Sequence, residues 1–82
     1  MKTMFLVCVY AVDESGFYDN NLFKRRIAAN LCSIEDWLER YAPIWAGEGA
    51  HVQYSDDFCN GEIYAGGKYK YVFETHNIAV LQ

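Results

Sequence analysis

The sequence predicts an α+β fold: a small, mostly antiparallel sheet of about four strands with one or two helices packed on one face. Three stretches point to it. Met4 to Val12 is a nearly continuous apolar run rich in β-branched and aromatic residues, the pattern of a strand covered on both sides. Residues 33–42 repeat apolar positions at helical spacing, and the chain from His51 onward alternates as sheet does. At 82 residues the chain makes one domain, 1–82, close to the size at which a single core only just suffices. Its aromatic fraction of 17% gathers buried area in large pieces.

The first strand ends at "DESG", and "DESGFYDNN" reads as a polar loop. Residues 21–32 follow. Phe23, Ile27 and Leu31 recur at i, i+4 and i+8 behind Asn20 or Asn21 as a cap, which predicts a helix. A short strand through 23–28, paired with the first, accounts for the same residues.

Ser33 is the expected N-cap of the next helix, with Glu35 and Asp36 in its first turn, where the helix dipole favours acids. Ile34, Trp37, Leu38 and Tyr41 form one apolar stripe, and Pro43 is expected to end the helix. Glu35, Asp36 and Glu39 collect on the wet side, partly balanced by Arg40.

Asn60-Gly61 between apolar runs predicts a tight hairpin, with Cys59 opposite Glu62 and Phe58 opposite Ile63. The faces decide the next turn. A two-residue turn at Gly66-Gly67 sets Ile63 opposite Lys70 and puts a charge on the apolar face. A three-residue loop, 66–68, sets Ile63 opposite Tyr71 and Ala65 opposite Tyr69. Val52, Tyr54, Phe58, Ile63, Ala65, Tyr69, Tyr71 and Phe73 then share one face, with Gln53, Ser55, Asp57, Tyr64, Lys70 and Glu74 on the other. The chain closes with "HNIAVLQ", expected to be a last strand that is apolar on both faces.

Composition narrows the function. A net charge of −4 opposes non-specific binding to a phosphate backbone, so no direct nucleic-acid contact is expected. The run "GGKYKYVFE" resembles the aromatic strand of RNA-recognition domains, where exposed rings stack on bases. That resemblance stops at alternation, and the register above turns the rings inward. Cys8, Cys32 and Cys59 form no C-x-x-C pair, which suits reduced, mostly buried thiols in a cytoplasmic protein. "MKTMFLVCVYAVD" imitates a secretory signal but is shorter than the usual 15–30 residues or so, and no run approaches the ~20 apolar residues of a membrane span.

Cys59 and His76 are the strongest pair for catalysis or metal binding, since the strand directions bring both to one end of the sheet near Glu62 and Glu74. A thiol–imidazole pair usually needs an orienting third group, and two soft ligands are too few for a closed zinc site. His51 lies on the order of 26 Å away along an extended strand. No cofactor, metal or catalytic residue is therefore expected. Asp56 and Asp57 fall on opposite faces of a regular strand and cannot act as a carboxylate pair. Asp56 then points toward the apolar side, which calls for a bulge or strand end, or marks an acidic contact for a basic partner.

The expected function is binding by contact: a small acidic module whose Glu35, Asp36, Glu39, Asp56, Asp57, Glu62 and Tyr64 meet the basic surface of a protein partner. In size, charge and lack of a catalytic signature the chain is similar to the small acidic proteins by which phages block nucleases and CRISPR effectors. The resemblance implies an inhibitor or modulator of a nucleic-acid-handling protein. A homodimeric assembly subunit is the alternative, because a chain this short struggles to cover both faces of its sheet. A small Cys/His enzyme is the third reading.

Overall fold

Val7 and Val9 of the first strand are fully buried, so the backbone between them needs hydrogen-bond partners on both edges. That requirement organises the sheet. In the computed structural model, which describes residues 2–16, 21–56 and 59–80, the elements run β1 (Lys2–Ala11), β2 (Leu22–Ala28), α1 (Leu31–Ala46), β3 (His51–Tyr54), β4 (Asn60–Ala65) and β5 (Lys68–Val80). The strands form one sheet in the order β2-β1-β5-β4-β3, antiparallel at every junction. The α+β class holds, with five strands among the described residues rather than about four.

The extra strand comes from residues 21–32. They form β2 and the start of α1, not a helix of their own. Helix propensity is a weak prior, and β1 has an edge to satisfy: Leu6 pairs with Ile27 and Cys8 with Arg25. A bulge between Val9 and Tyr10 leaves Phe23 as the additional residue. It re-aims that ring, as bulges do, into edge contact with Trp45 at 5.4 Å. The charges Lys24, Arg25 and Arg26 lie on an outer strand, where they discourage edge-to-edge pairing.

The helix is longer than the spacing implied. Asn30, not Ser33, caps it, its Oδ1 accepting from the Ser33 N–H at 2.8 Å. Glu35 and Asp36 consequently fall outside the first turn, and the dipole argument for them lapses. Pro43 lies inside α1, on its exposed side, and the Gly47 N–H closes the helix on the Pro43 carbonyl at 3.0 Å. Packing holds the last turn despite the missing proline donor: Trp45 touches Trp37 at 5.2 Å and Tyr41 at 5.7 Å, and the Tyr71 hydroxyl donates to the Trp45 carbonyl at 3.1 Å.

Ile34, Leu38 and Ala42 press one stripe of α1 onto Val7, Val9, Ala28, Ile63 and Phe73. The expected apolar face is therefore largely as read: Val52, Tyr54, Ile63, Ala65, Tyr71 and Phe73 all lie on the helix side of the sheet. Tyr69 is the departure. The turn is two residues, Gly66 and Gly67, with φ of 62° and 76°, the positive values a type I′ turn requires. A bulge at Lys70 then restores Ile63 opposite Tyr71 and sets Tyr69 opposite Tyr64. Two-residue turn and correct core register coexist because the bulge absorbs the slip.

Asn60-Gly61 is not the predicted hairpin turn. Both residues belong to β4, with Tyr54 opposite Gly61 and Val52 opposite Ile63. Phe58 and Asp57 lie outside the described residues. "HNIAVLQ" is no separate strand through 80; it continues β5, a 13-residue strand pairing with β4 and then β1.

Only one side of this sheet carries a helix. Among the described residues no element packs on the other, which displays Met4, Leu6, Cys8 and Tyr10 of β1 beside Val72 and Ile78 of β5. The expectation that β1 is covered on both sides is met by α1 on one side; on the other Cys8 is buried between its strand neighbours Arg25 and Glu74, while Met4, Leu6 and Tyr10 are half-buried. No helix among the described residues is long and apolar enough to cross a membrane.

Candidate functional site

The predicted partner-binding residues separate into two layers. Glu35 and Glu39 are one turn apart on α1, on the flank toward β3, and Asp36 sits beside them at the crest. Glu39 closes a small recess with Ala42, Ala50, His51 and Val52. Beneath this flank the Tyr54 hydroxyl is sealed from solvent. Burial holds its phenol well above the ordinary tyrosine range, and the negative charges of Glu39, Glu35 and Asp36, in that order, push it further. A neutral phenol is what remains when an anion would be both desolvated and repelled. Burial is the larger cause of the shift and the three carboxylates the lesser.

Among the described residues, no cation lies within ion-pair distance of Glu35, Asp36 or Glu39; the one ion pair there joins His76 to Glu74 at 3.5 Å. Positive charge sits on the other flank of the same helix. The Arg26 guanidinium lies 5.8 Å from the Trp37 ring, and Arg26, Arg40 and Asp36 share a shallow recess with Trp37 and Tyr41. The helix layer thus carries an acidic side toward β3 and a basic, aromatic side toward β2.

Asp56 is exposed in a turn just beyond β3, and does not point into the apolar face, because β3 ends at Tyr54. The unfavourable buried acid expected there does not arise. Asp57 falls outside the described residues. Glu62 and Tyr64 are elsewhere, on the helix-free face of β4. Tyr64 stacks on His51 at 5.4 Å and meets Tyr69 edge-on at 5.6 Å, lining a groove with Val12, Glu14 and Lys68. Three of the seven predicted residues, Glu35, Asp36 and Glu39, lie together on α1, and two are across the sheet from them.

Cys59 and His76 do approach the same end of the sheet. The Thr75 N–H donates to the Cys59 carbonyl at 2.6 Å, placing the thiol residue beside the β5 segment that carries His76. Of the three cysteines only Cys8 is buried, so the expectation of mostly buried thiols fails for Cys32 and Cys59. Among the described residues no three His, Cys, Asp or Glu side chains stand together as metal ligands. Of the three Lys/Tyr-run rings, Phe73 is fully buried, Tyr71 is half-buried against Trp45, and Tyr69 is exposed on the opposite face.

The alternation of residues 51–54 places Tyr54 on the core face but carries no link to the helix acids. The link requires α1 to cross beside β3, which no local pattern encodes. No protein family, curated protein or solved structure matches this chain.

Proposed function

We propose that this protein acts by contact rather than catalysis, as a small acidic binding module that docks a basic protein surface with the β3-side flank of α1. The observation that supports it is the pair Glu35 and Glu39, one turn apart on α1, with no cation within ion-pair distance among the described residues; Asp36 stands between this pair and the recess that holds Arg26 and Arg40. Fixed like charges kept together on one rigid helix repel one another slightly in the free protein. They gain most when an opposing cationic surface arrives, which also accelerates encounter.

The partner class that fits is a nucleic-acid-handling protein, whose substrate groove is basic because it neutralises a phosphate backbone. The mode of action is inhibition or modulation of the kind exerted by phage proteins against nucleases and CRISPR effectors. A net charge of −4 suits a local charge match better than imitation of a whole DNA duplex, which carries a negative charge about every 1.7 Å.

The test is affinity capture from a lysate of the source organism, with the wild-type chain and an E35K/D36K/E39K variant run in parallel. Salt-sensitive retention of a nuclease, helicase or other nucleic-acid-handling protein by the wild type, lost in the variant, supports the reading. Recovery of no such protein, or equal recovery by both chains, overturns it.

A further inference from the structure

The helix-free face of the sheet is patterned about β1. Along that strand the residues on this face are Met4, Leu6, Cys8 and Tyr10, and the registers fix what flanks each. Tyr10 has Leu22 on one side and Val72 on the other; Cys8 has Arg25 and Glu74; Leu6 has Ile27 and His76; Met4 has Ile78. Leu22 and Ile27 are 48% and 55% exposed, and no described element covers them. Large apolar side chains left in water on this scale forgo about 25 cal/mol for every Å² that could be buried.

We infer that this face is an interface with a second copy of the same chain, packed sheet to sheet about a two-fold axis running parallel to β1 above Cys8. The charges select this occupant and this axis. Arg25 and Glu74 occupy one row, each one strand away from Cys8, so about 4.8 Å to either side of it. A two-fold along β1 exchanges left and right while keeping the row. It therefore sets Arg25 over the partner's Glu74 and Glu74 over the partner's Arg25. The same operation sets Leu22 over the partner's Val72. The alternative in-plane axis through this row, perpendicular to the strands, stacks Arg25 on Arg25 and Glu74 on Glu74, which repel.

Aligned sheets pack about 10 Å apart and cross at roughly −30°, which inclines the axis about 15° from the direction of β1. A crossing of that size displaces groups about 5 Å from the axis by only ~3 Å, within the reach of an arginine and a glutamate. The patch extends about 20 Å along the strands and about 10 Å across β2, β1 and β5, well below the standard ~800 Å² per partner. A reversible dimer with a dissociation constant in the micromolar range is the expectation. The acidic flank of α1 lies on the opposite layer, so the dimer presents two such flanks outward. This inference and the proposed function can fail separately.

Sedimentation equilibrium of the full chain up to about 200 µM tests it, a range that brackets micromolar association. Wild type should dimerise. Arg25→Glu and Glu74→Arg, each checked for native circular dichroism, should each weaken self-association by about tenfold or more, because each variant alone opposes like charges. An equimolar mixture of the two variants should recover dimer at close to wild-type strength, since one chain then carries only acids in this row and the other only arginines. A wild type that stays monomeric overturns the inference and hands the face to some other partner. Single variants that dimerise undiminished, or a mixture that fails to recover, overturn it as well.

Discussion

Gly61 lies against the ring of Phe73 with no room for a side chain: a β-carbon on it would stand 2.6 Å from Phe73 Cζ and 2.9 Å from Cε1, and would also collide with the Gln53 carbonyl oxygen. Phe73 is fully buried at the centre of the core, and its ring lies across Gly61, its partner on the neighbouring strand. The glycine sits there for space, not for a turn.

Gly61→Ala is therefore expected to destabilise the protein by about 3 kcal/mol, the upper part of the range for overpacked cores. In a domain of this size that lowers the melting temperature by more than about 10 °C. A thermal unfolding curve followed by circular dichroism measures it. Alanine tolerated within a degree or two would mean β4 is free to lift off Phe73.

Leu38 and Ile44 occupy the same helix with opposite consequences. Leu38 is fully buried and Ile44 is 70% exposed. Leu38→Ala should cost about 3 kcal/mol through lost burial and the cavity left behind. Ile44→Ala should change stability by less than about 0.5 kcal/mol. Urea midpoints of the two variants, taken with the slopes to confirm two-state unfolding, distinguish them.

Pro43 interrupts the hydrogen-bond ladder of α1 without ending the helix. Pro43→Ala restores a donor for the Glu39 carbonyl, and alanine is the better helix former by about 3 kcal/mol in a free helix interior. Part of that is returned because proline also restricts the unfolded chain. A gain of about 1 kcal/mol in the urea midpoint analysis is expected. A loss instead would show that the aromatic packing of Trp45 depends on the proline geometry.

Tyr54 makes stability fall at alkaline pH. Its folded-state pKa lies above the ordinary value of 10.0, so below pH 10 the phenol is neutral in both states and nothing is lost. As pH rises past 10 the unfolded chain releases this proton while the folded one retains it, and stability declines at up to about 1.4 kcal/mol per pH unit. Tyr54→Phe removes this contribution. Denaturant midpoints at pH 8 and pH 11 should converge or cross between the two proteins, with wild type losing more. Equal losses would place the phenol in ordinary solvent.

Residues 33–42 were readable as helix because Ile34, Trp37, Leu38 and Tyr41 repeat with a helical period that no strand shares. Their ends were not readable. Asn30 outcompeted Ser33 as cap, and Pro43 was absorbed, because both outcomes depend on how Leu31 and Trp45 pack against the core. The helix-facing side of β3, β4 and β5 was likewise visible in the alternation of Val52, Tyr54, Ile63, Tyr71 and Phe73. The actual turn and the bulge at Lys70 were not, since a longer loop and a bulge repair the register equally well on paper. The acidic site was half legible. Charge and spacing mark Glu35, Asp36 and Glu39, but nothing local separates them from Glu62 and Tyr64, which lie across the sheet on β4.

The amino-acid sequence by itself determined the class of fold, the identity of the long helix and most of the apolar face, because these follow from local periodicity and burial. Only the tertiary structure decided that residues 22–28 join the sheet. It alone set Arg25 and Glu74 on either side of Cys8, and the helix acids over Tyr54. Each is a pairing between segments far apart in the chain. It is decided by which backbone edges and apolar faces remain to be satisfied once the core has formed, and local sequence carries no record of that remainder.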